Sequence, residues 1–112
     1  MRKYCLALDL KNDEQLIAEY EAYHKSVWPE IIKGIYAAGI NNMEIYRVEN
    51  RLFMIMQTSD DFSFEKKTAM DISNDKVKEW EALMWKYQQP IPNTKTGEKW
   101  RLMKEIFSLN AE

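Results

Sequence analysis

Between Tyr4 and Leu10 the strongly apolar side chains Tyr4, Leu6, Leu8 and Leu10 alternate with Cys5, Ala7 and Asp9. A period of two over this length predicts a β-strand with one face committed to a core. Such a strand needs partners, and the same period returns in Met43–Val48 and Leu52–Thr58. Glu49-Asn50-Arg51 separates those two runs, and Asn50 tolerates the positive φ of a tight turn, so they predict an antiparallel hairpin.

The segments between the strands carry the helical period. Lys11-Asn12-Asp13-Glu14-Gln15 is a capping signature, with Asn12 as the expected cap, and Leu16, Ile17, Tyr20 and Tyr23 or His24 follow on one face. Pro29 breaks that helix, Ser26 is the expected cap of its continuation, and Ile31, Ile32, Ile35 and Tyr36 extend the apolar stripe to Gly39. Phe62, Phe64, Ala69 and Met70 predict a short helix. After Ser73-Asn74-Asp75 a longer one carries Val77, Trp80, Leu83, Met84 and Tyr87, closed by Pro90 and Pro92. A loop spans Pro90 to Gly97, and Trp100, Leu102 and Ile106 predict a last strand. The resulting order, strand, helix, strand, strand, helix, strand, is the split βαβ arrangement of ferredoxin-like α+β folds, an antiparallel sheet with helices on one face. The strands are apolar on both parities, Leu52, Met54 and Met56 against Phe53 and Ile55. The face without helices is therefore expected to pack against a second sheet in a homodimer.

Composition narrows the function classes. The 112 residues suit one domain, 1–112, with 46% hydrophobic and 30% charged residues, the balance of a folded chain. The formal net charge of −2 and the absence of a basic block predict neither a nucleic-acid nor an anionic-membrane partner. No apolar run approaches the ~20 residues of a membrane span, and Met1-Arg2-Lys3-Tyr4 does not open a signal peptide. A single cysteine, Cys5, excludes an intrachain disulfide and a multi-cysteine zinc site and fits a reducing, cytoplasmic address. Gly34, Gly39 and Gly97 are isolated from one another, so no phosphate-binding loop forms.

His24 is the only histidine. Imidazole, with an unperturbed pKa near ~6.5, both gives and takes a proton near neutrality, which makes His24 the first catalytic candidate. The alternative is an ordinary surface histidine at the end of an amphipathic helix. One histidine cannot build a multi-histidine metal site, so none is expected. Tyr20 lies one helical turn before His24, and Trp28 and Glu30 follow across Pro29. Trp80 and Glu81, with Trp85 beyond, add a second stacking and hydrogen-bonding group. Pyranose rings stack on indole and phenol rings while their hydroxyls seek carboxylate and phenol partners, so the set suits a monosaccharide. Each aromatic residue has a core alternative, and for Trp100 the core reading is preferred. Cys5 is read as a small buried hydrophobe, the methionines as adaptable filler, and Glu65-Lys66-Lys67 as a solvated helix face.

Tyr20-Glu-Ala-Tyr-His24-Lys-Ser-Val-Trp28-Pro29-Glu30 resembles the motif of the L-rhamnose mutarotase family. The likeness runs through Gly39, the Asn42–Tyr46 and Leu52–Met54 segments, the Trp80 helix and Glu105-Ile106-Phe107. It implies a dimeric α/β barrel of ferredoxin-like type that interconverts the α and β anomers of 6-deoxy-L-sugars without a cofactor. It also implies that His24 is the proton-donating histidine, and that Tyr20 binds substrate. The chain departs from the rhamnose-specific pattern, which has tyrosine where Met43 stands and a Trp-Trp pair where Glu81 follows Trp80. The stretch Val77–Pro90 looks more like the branch linked to L-fucose. Two rivals share these residues: a cofactor-independent oxygenase on the same dimeric fold, and a non-catalytic sugar-binding module. A purely structural dimer is a third.

Overall fold

In a computed structural model that describes residues 1–111, the strand Tyr4–Leu10 widens to β1, Arg2–Leu10, at the centre of an antiparallel sheet. Two helices follow, α1 (Glu14–His24) and α2 (Pro29–Ala37), then β2 (Ile40–Val48) and β3 (Arg51–Thr58). The chain continues through α3 (Phe64–Ile72), α4 (Asp75–Trp85), two short strands, β4 (Gln88–Gln89) and β5 (Arg101–Leu102), and a final turn of 3-10 helix, Leu109–Ala111. The strands lie in the order β2-β3-β1-β4, with β5 also on β1. This is the ferredoxin-like α+β arrangement that the element order predicts.

Local chemistry sets the ends of the helices and the hairpin turn, and at two helix starts and that turn it differs from the sequence expectation. Asp13, not Asn12, caps α1, its carboxylate accepting from the Leu16 amide at 3.0 Å. Asp13 holds the extended backbone that a cap requires, and Glu14 is already helical. The cap residue of α2 is Trp28 rather than Ser26, with no side-chain bond, because Pro29 takes the first helical position, where its missing N–H costs nothing. In the β2–β3 turn the positive φ, 51°, falls on Glu49, while the Asn50 side chain donates to the Leu10 carbonyl at 3.1 Å and ties the turn to β1. Ser63 and Asn74 cap α3 and α4 through their side-chain oxygens.

Gly39 ends α2 with φ +93°, and a Cβ there would lie 2.9 Å from the Ser59 hydroxyl oxygen. The backbone angle therefore demands glycine where α2 turns into β2, and any side chain there would also displace the Ser59 hydroxyl.

Register sorts the strand residues by face. Leu6 pairs with Met54 and Leu8 with Leu52, and β2 places Met43 and Ile45 opposite Met56 and Met54. These side chains meet the helices: Leu10 and Leu52 cluster with Tyr20, Ile31, Val77, Trp80, Met84 and Tyr87, and Leu6, Met54 and Met56 with Ile40 and Phe62. The alternate residues Cys5, Ala7, Phe53 and Ile55 form the opposite, partly exposed face, across which Cys5 pairs with Ile55 and Ala7 with Phe53.

The predicted last strand is shorter than its alternation implies. Its pairing with β1 stops at Leu102, opposite Leu6, with one further bond from the Met103 amide to the Cys5 carbonyl at 2.7 Å, and the chain then leaves the sheet, with Ile106 91% exposed. Gln88–Gln89, a segment with no strand pattern, pairs with the same edge of β1 at Asp9–Leu10. No described helix is long and apolar enough to cross a membrane.

Candidate active site

The helices do not close fully on the sheet. Between α1, α2, α3, α4 and the strand face carrying Leu6, Met43, Ile45, Met54 and Met56 lies a cavity of about 770 Å³. That volume falls in the range of small-molecule sites, about 300–1,000 Å³, with the usual lining of apolar walls and few polar groups.

Tyr20 and His24, one turn apart on α1, both reach this cavity, with ring centroids 4.4 Å apart. The amphipathic spacing of α1 turns both toward the core, and Tyr20 is only 4% exposed. His24 Nδ1 lies 2.8 Å from the Tyr20 carbonyl oxygen. A carbonyl can only accept, so Nδ1 carries the hydrogen and Nε2 is the nitrogen left to exchange a proton with a ligand. Burial pushes the Tyr20 phenol up to about 12, against the opposing pull of a hydrogen bond from Gln88 and with a further push from the Glu81 charge. At neutral pH Tyr20 is therefore a hydrogen-bond donor and not a base.

Trp80 forms the adjoining wall, 7% exposed, its ring 5.7 Å from His24. Trp28 is not on the cavity wall. It backs Trp80 edge-on at 5.0 Å and takes the Lys76 ammonium over its own ring at 5.9 Å. Glu81 lines the cavity, and its carboxylate binds Lys99, whose ammonium also sits 5.1 Å over the Trp85 ring. Glu30 is exposed in the first turn of α2, outside the cavity. The structure thus gathers Tyr20, His24, Trp80 and Glu81, with Trp28 one layer behind and Glu30 apart.

Three wall residues were not singled out as ligand groups from the sequence. Gln88 is buried, its amide nitrogen 3.4 Å from the Tyr20 hydroxyl. Lys99 and Trp100 arrive from the loop before β5. Trp100 packs against both apolar clusters, as its core reading implies, and lines the cavity as well. Only the aromatic character of Trp100 offered a signal. Gln88 and Lys99 are ordinary polar residues beside a helix end and a strand end.

A ferredoxin-like α+β sheet whose covered face holds an imidazole, a phenol and indoles around a small-molecule cavity defines a class of compact ligand-handling proteins. A family model described as L-rhamnose mutarotase matches residues 3–109, and the chain belongs to that family, carbohydrate isomerases of the mutarotase type. It is 41% identical over 112 residues to an L-fucose mutarotase of Xanthomonas campestris, an alignment covering 98% of this chain and 90% of that one. Among solved structures it resembles an L-rhamnose mutarotase from Formosa agariphila, with TM-score 0.71 and 20% identity, covering 97% of this chain and 99% of that one. It also resembles a dimeric ferredoxin-like protein from an uncultured marine organism, with TM-score 0.56 and 17% identity, covering 95% and 90%.

Proposed function

We propose that this protein interconverts the α and β anomers of a 6-deoxy-L-hexose, L-fucose ahead of L-rhamnose, with His24 as principal acid. The observation that carries the reading is the pairing of His24, its Nδ1 held by a carbonyl, with a neutral Tyr20 on one cavity wall of a mutarotase-family chain. The preference for L-fucose is supported by the likeness to the Xanthomonas enzyme. Met43 and the Glu81 that follows Trp80, where rhamnose-specific members have tyrosine and tryptophan, point the same way.

The reaction needs one proton given and one taken. His24 Nε2–H protonates the ring oxygen while a base removes the anomeric hydroxyl proton. The C1–O5 bond breaks and the open-chain aldehyde forms. Rotation about C1–C2 presents the other carbonyl face, the C5 hydroxyl oxygen attacks it, and its proton returns to Nε2 as the base gives its proton to the new anomeric oxygen. Both groups end as they began, and no cofactor is called for. Tyr20 donates to a ring or anomeric oxygen, Trp80 stacks on the apolar sugar face with Trp28 behind it, and Glu81 is the candidate second proton carrier. Glu30 is left the outer role of a hydroxyl contact at most.

We extend the reading to a cytoplasmic homodimer joined through the Cys5–Ile55 face, supported by the partial exposure of Phe53 and Ile55 and by the likeness to a dimeric ferredoxin-like protein. The test is magnetisation transfer by NMR between the α and β anomeric protons of L-fucose and of L-rhamnose, with catalytic protein. Faster exchange than the buffer blank, greatest on L-fucose, is expected. Binding seen by tryptophan quenching with no acceleration of either sugar would leave a binding module, and oxygen uptake would leave an oxygenase.

A further inference from the structure

The amide of Gln88 has no use in packing that a leucine would not serve better. Its backbone is fixed: Gln88 pairs with Leu10 of β1, and the neighbouring Tyr87 carbonyl accepts from the Lys11 amide at 2.8 Å. That pairing sends its side chain to the covered face, where it lines the cavity and is only 5% exposed. Its Nε2 donates to the Tyr20 hydroxyl over a long 3.4 Å, and its Oε1 is buried with no hydrogen-bond partner among the described residues. A buried amide oxygen without a donor is a cost to folding, and such groups in native proteins mark places where something else supplies the bond. Tyr87, next in the chain, shows the contrast, since its hydroxyl is fully engaged with Glu19 at 3.0 Å.

We propose that Gln88 is a specificity-determining residue, whose Oε1 accepts a hydrogen bond from the sugar hydroxyl on C2, next to the anomeric carbon. This rests on the mutarotase reading. If His24 and Tyr20 serve the C1–O5 edge of the ring, the group that touches Tyr20 from the side meets the adjoining ring position. L-Fucose and L-rhamnose have opposite configurations at C2, so one acceptor placed there separates them. A site built to bond a hydroxyl discriminates strongly against a sugar that lacks it, because the protein's own polar group is then left unpaired.

The experiment compares anomer exchange of L-fucose and 2-deoxy-L-fucose, each divided by its own uncatalysed rate, in wild type, Gln88→Leu and Gln88→Glu. The wild type is expected to favour L-fucose by about ten- to a hundredfold. Gln88→Leu should lose that ratio, and Gln88→Glu, which keeps an acceptor, should retain most of it. A wild type indifferent to the C2 hydroxyl overturns the proposal, as does a Gln88→Leu variant with the wild-type ratio. Should Gln88→Leu fail to fold, Gln88→Met takes its place. No exchange of L-fucose or L-rhamnose by the wild type overturns the mutarotase reading itself, a result distinct from exchange that ignores C2.

Discussion

The two faces of the sheet are made from the same strands and differ in how their polar groups are partnered. On the open face Asp9, nearly buried, is clamped by Arg51 through two bonds at 2.7 and 3.1 Å, and Tyr46 is bonded to Glu44, which raises the Tyr46 pKa. These polar groups are answered by one another. On the covered face, among the described residues, His24 Nε2 and the Gln88 side-chain oxygen have no hydrogen-bond partner. A mutually satisfied surface suits assembly, whereas one with unmet hydrogen bonds suits a ligand that brings its own hydroxyls.

If the comparison holds, damage to the covered face should abolish exchange and damage to the open face should abolish assembly. The largest effect is expected from His24→Ala, a fall in anomer exchange of about 10² to 10⁴ with an unchanged circular dichroism spectrum. Full exchange in that variant would remove His24 from the mechanism. Next, Ile55→Asp places a charge in the middle of the open face and should weaken self-association by about a hundredfold or more. Sedimentation velocity reads this directly, and a variant that sediments like wild type would clear the open face of any role in assembly. Tyr20→Phe removes a donor while keeping the ring, so exchange should fall by about tenfold, with a small loss of stability as the Gln88 amide nitrogen loses its partner.

The smallest effect lies in pH. Tyr20 and Tyr87 are both pushed up to about 12, chiefly by loss of water, and Tyr87 also by its bond to Glu19. Raised folded-state values mean that the native state holds its phenol protons longer than the unfolded chain. The stability from this source is intact below about pH 10 and is lost as pH rises toward 12. Urea midpoints measured from pH 9 upward should fall through that window, and less steeply in Tyr20→Phe. An equal slope in the variant would show that Tyr20 does not contribute.

Much of this was legible in the residues because it depends on local spacing. The alternation from Tyr4 to Leu10, the hairpin and the break at Pro29 gave the element order. The Tyr20–His24 step placed both groups on one helix face, and that face points into the cavity. What failed to show depends on tertiary placement. Ile106 continues an alternation but lies beyond the two-residue pairing of β5 with β1, while Gln88 pairs with β1 without any alternation. Glu30, one step past the break, follows the motif in sequence yet sits outside the cavity, because α2 lines it through Ile31, Ile32 and Ile35 and leaves Glu30 exposed in its first turn. Periodicity reports which side of an element is apolar and is silent on which element will cover it.

The bond from His24 Nδ1 to the Tyr20 carbonyl has a consequence for how the site tolerates change. In the more familiar arrangement a carboxylate orients the imidazole, and a single substitution removes it. Here the orienting group is main chain, present whatever side chain occupies position 20, and no point mutation deletes it. The same Nδ1–H is made whether the ring is neutral or cationic, so the imidazole has no reason to swing between the halves of a turnover. Protons come and go at the other nitrogen of a ring that stands still, and little reorganisation accompanies each transfer. An eleven-residue helix therefore carries both the acid and its alignment.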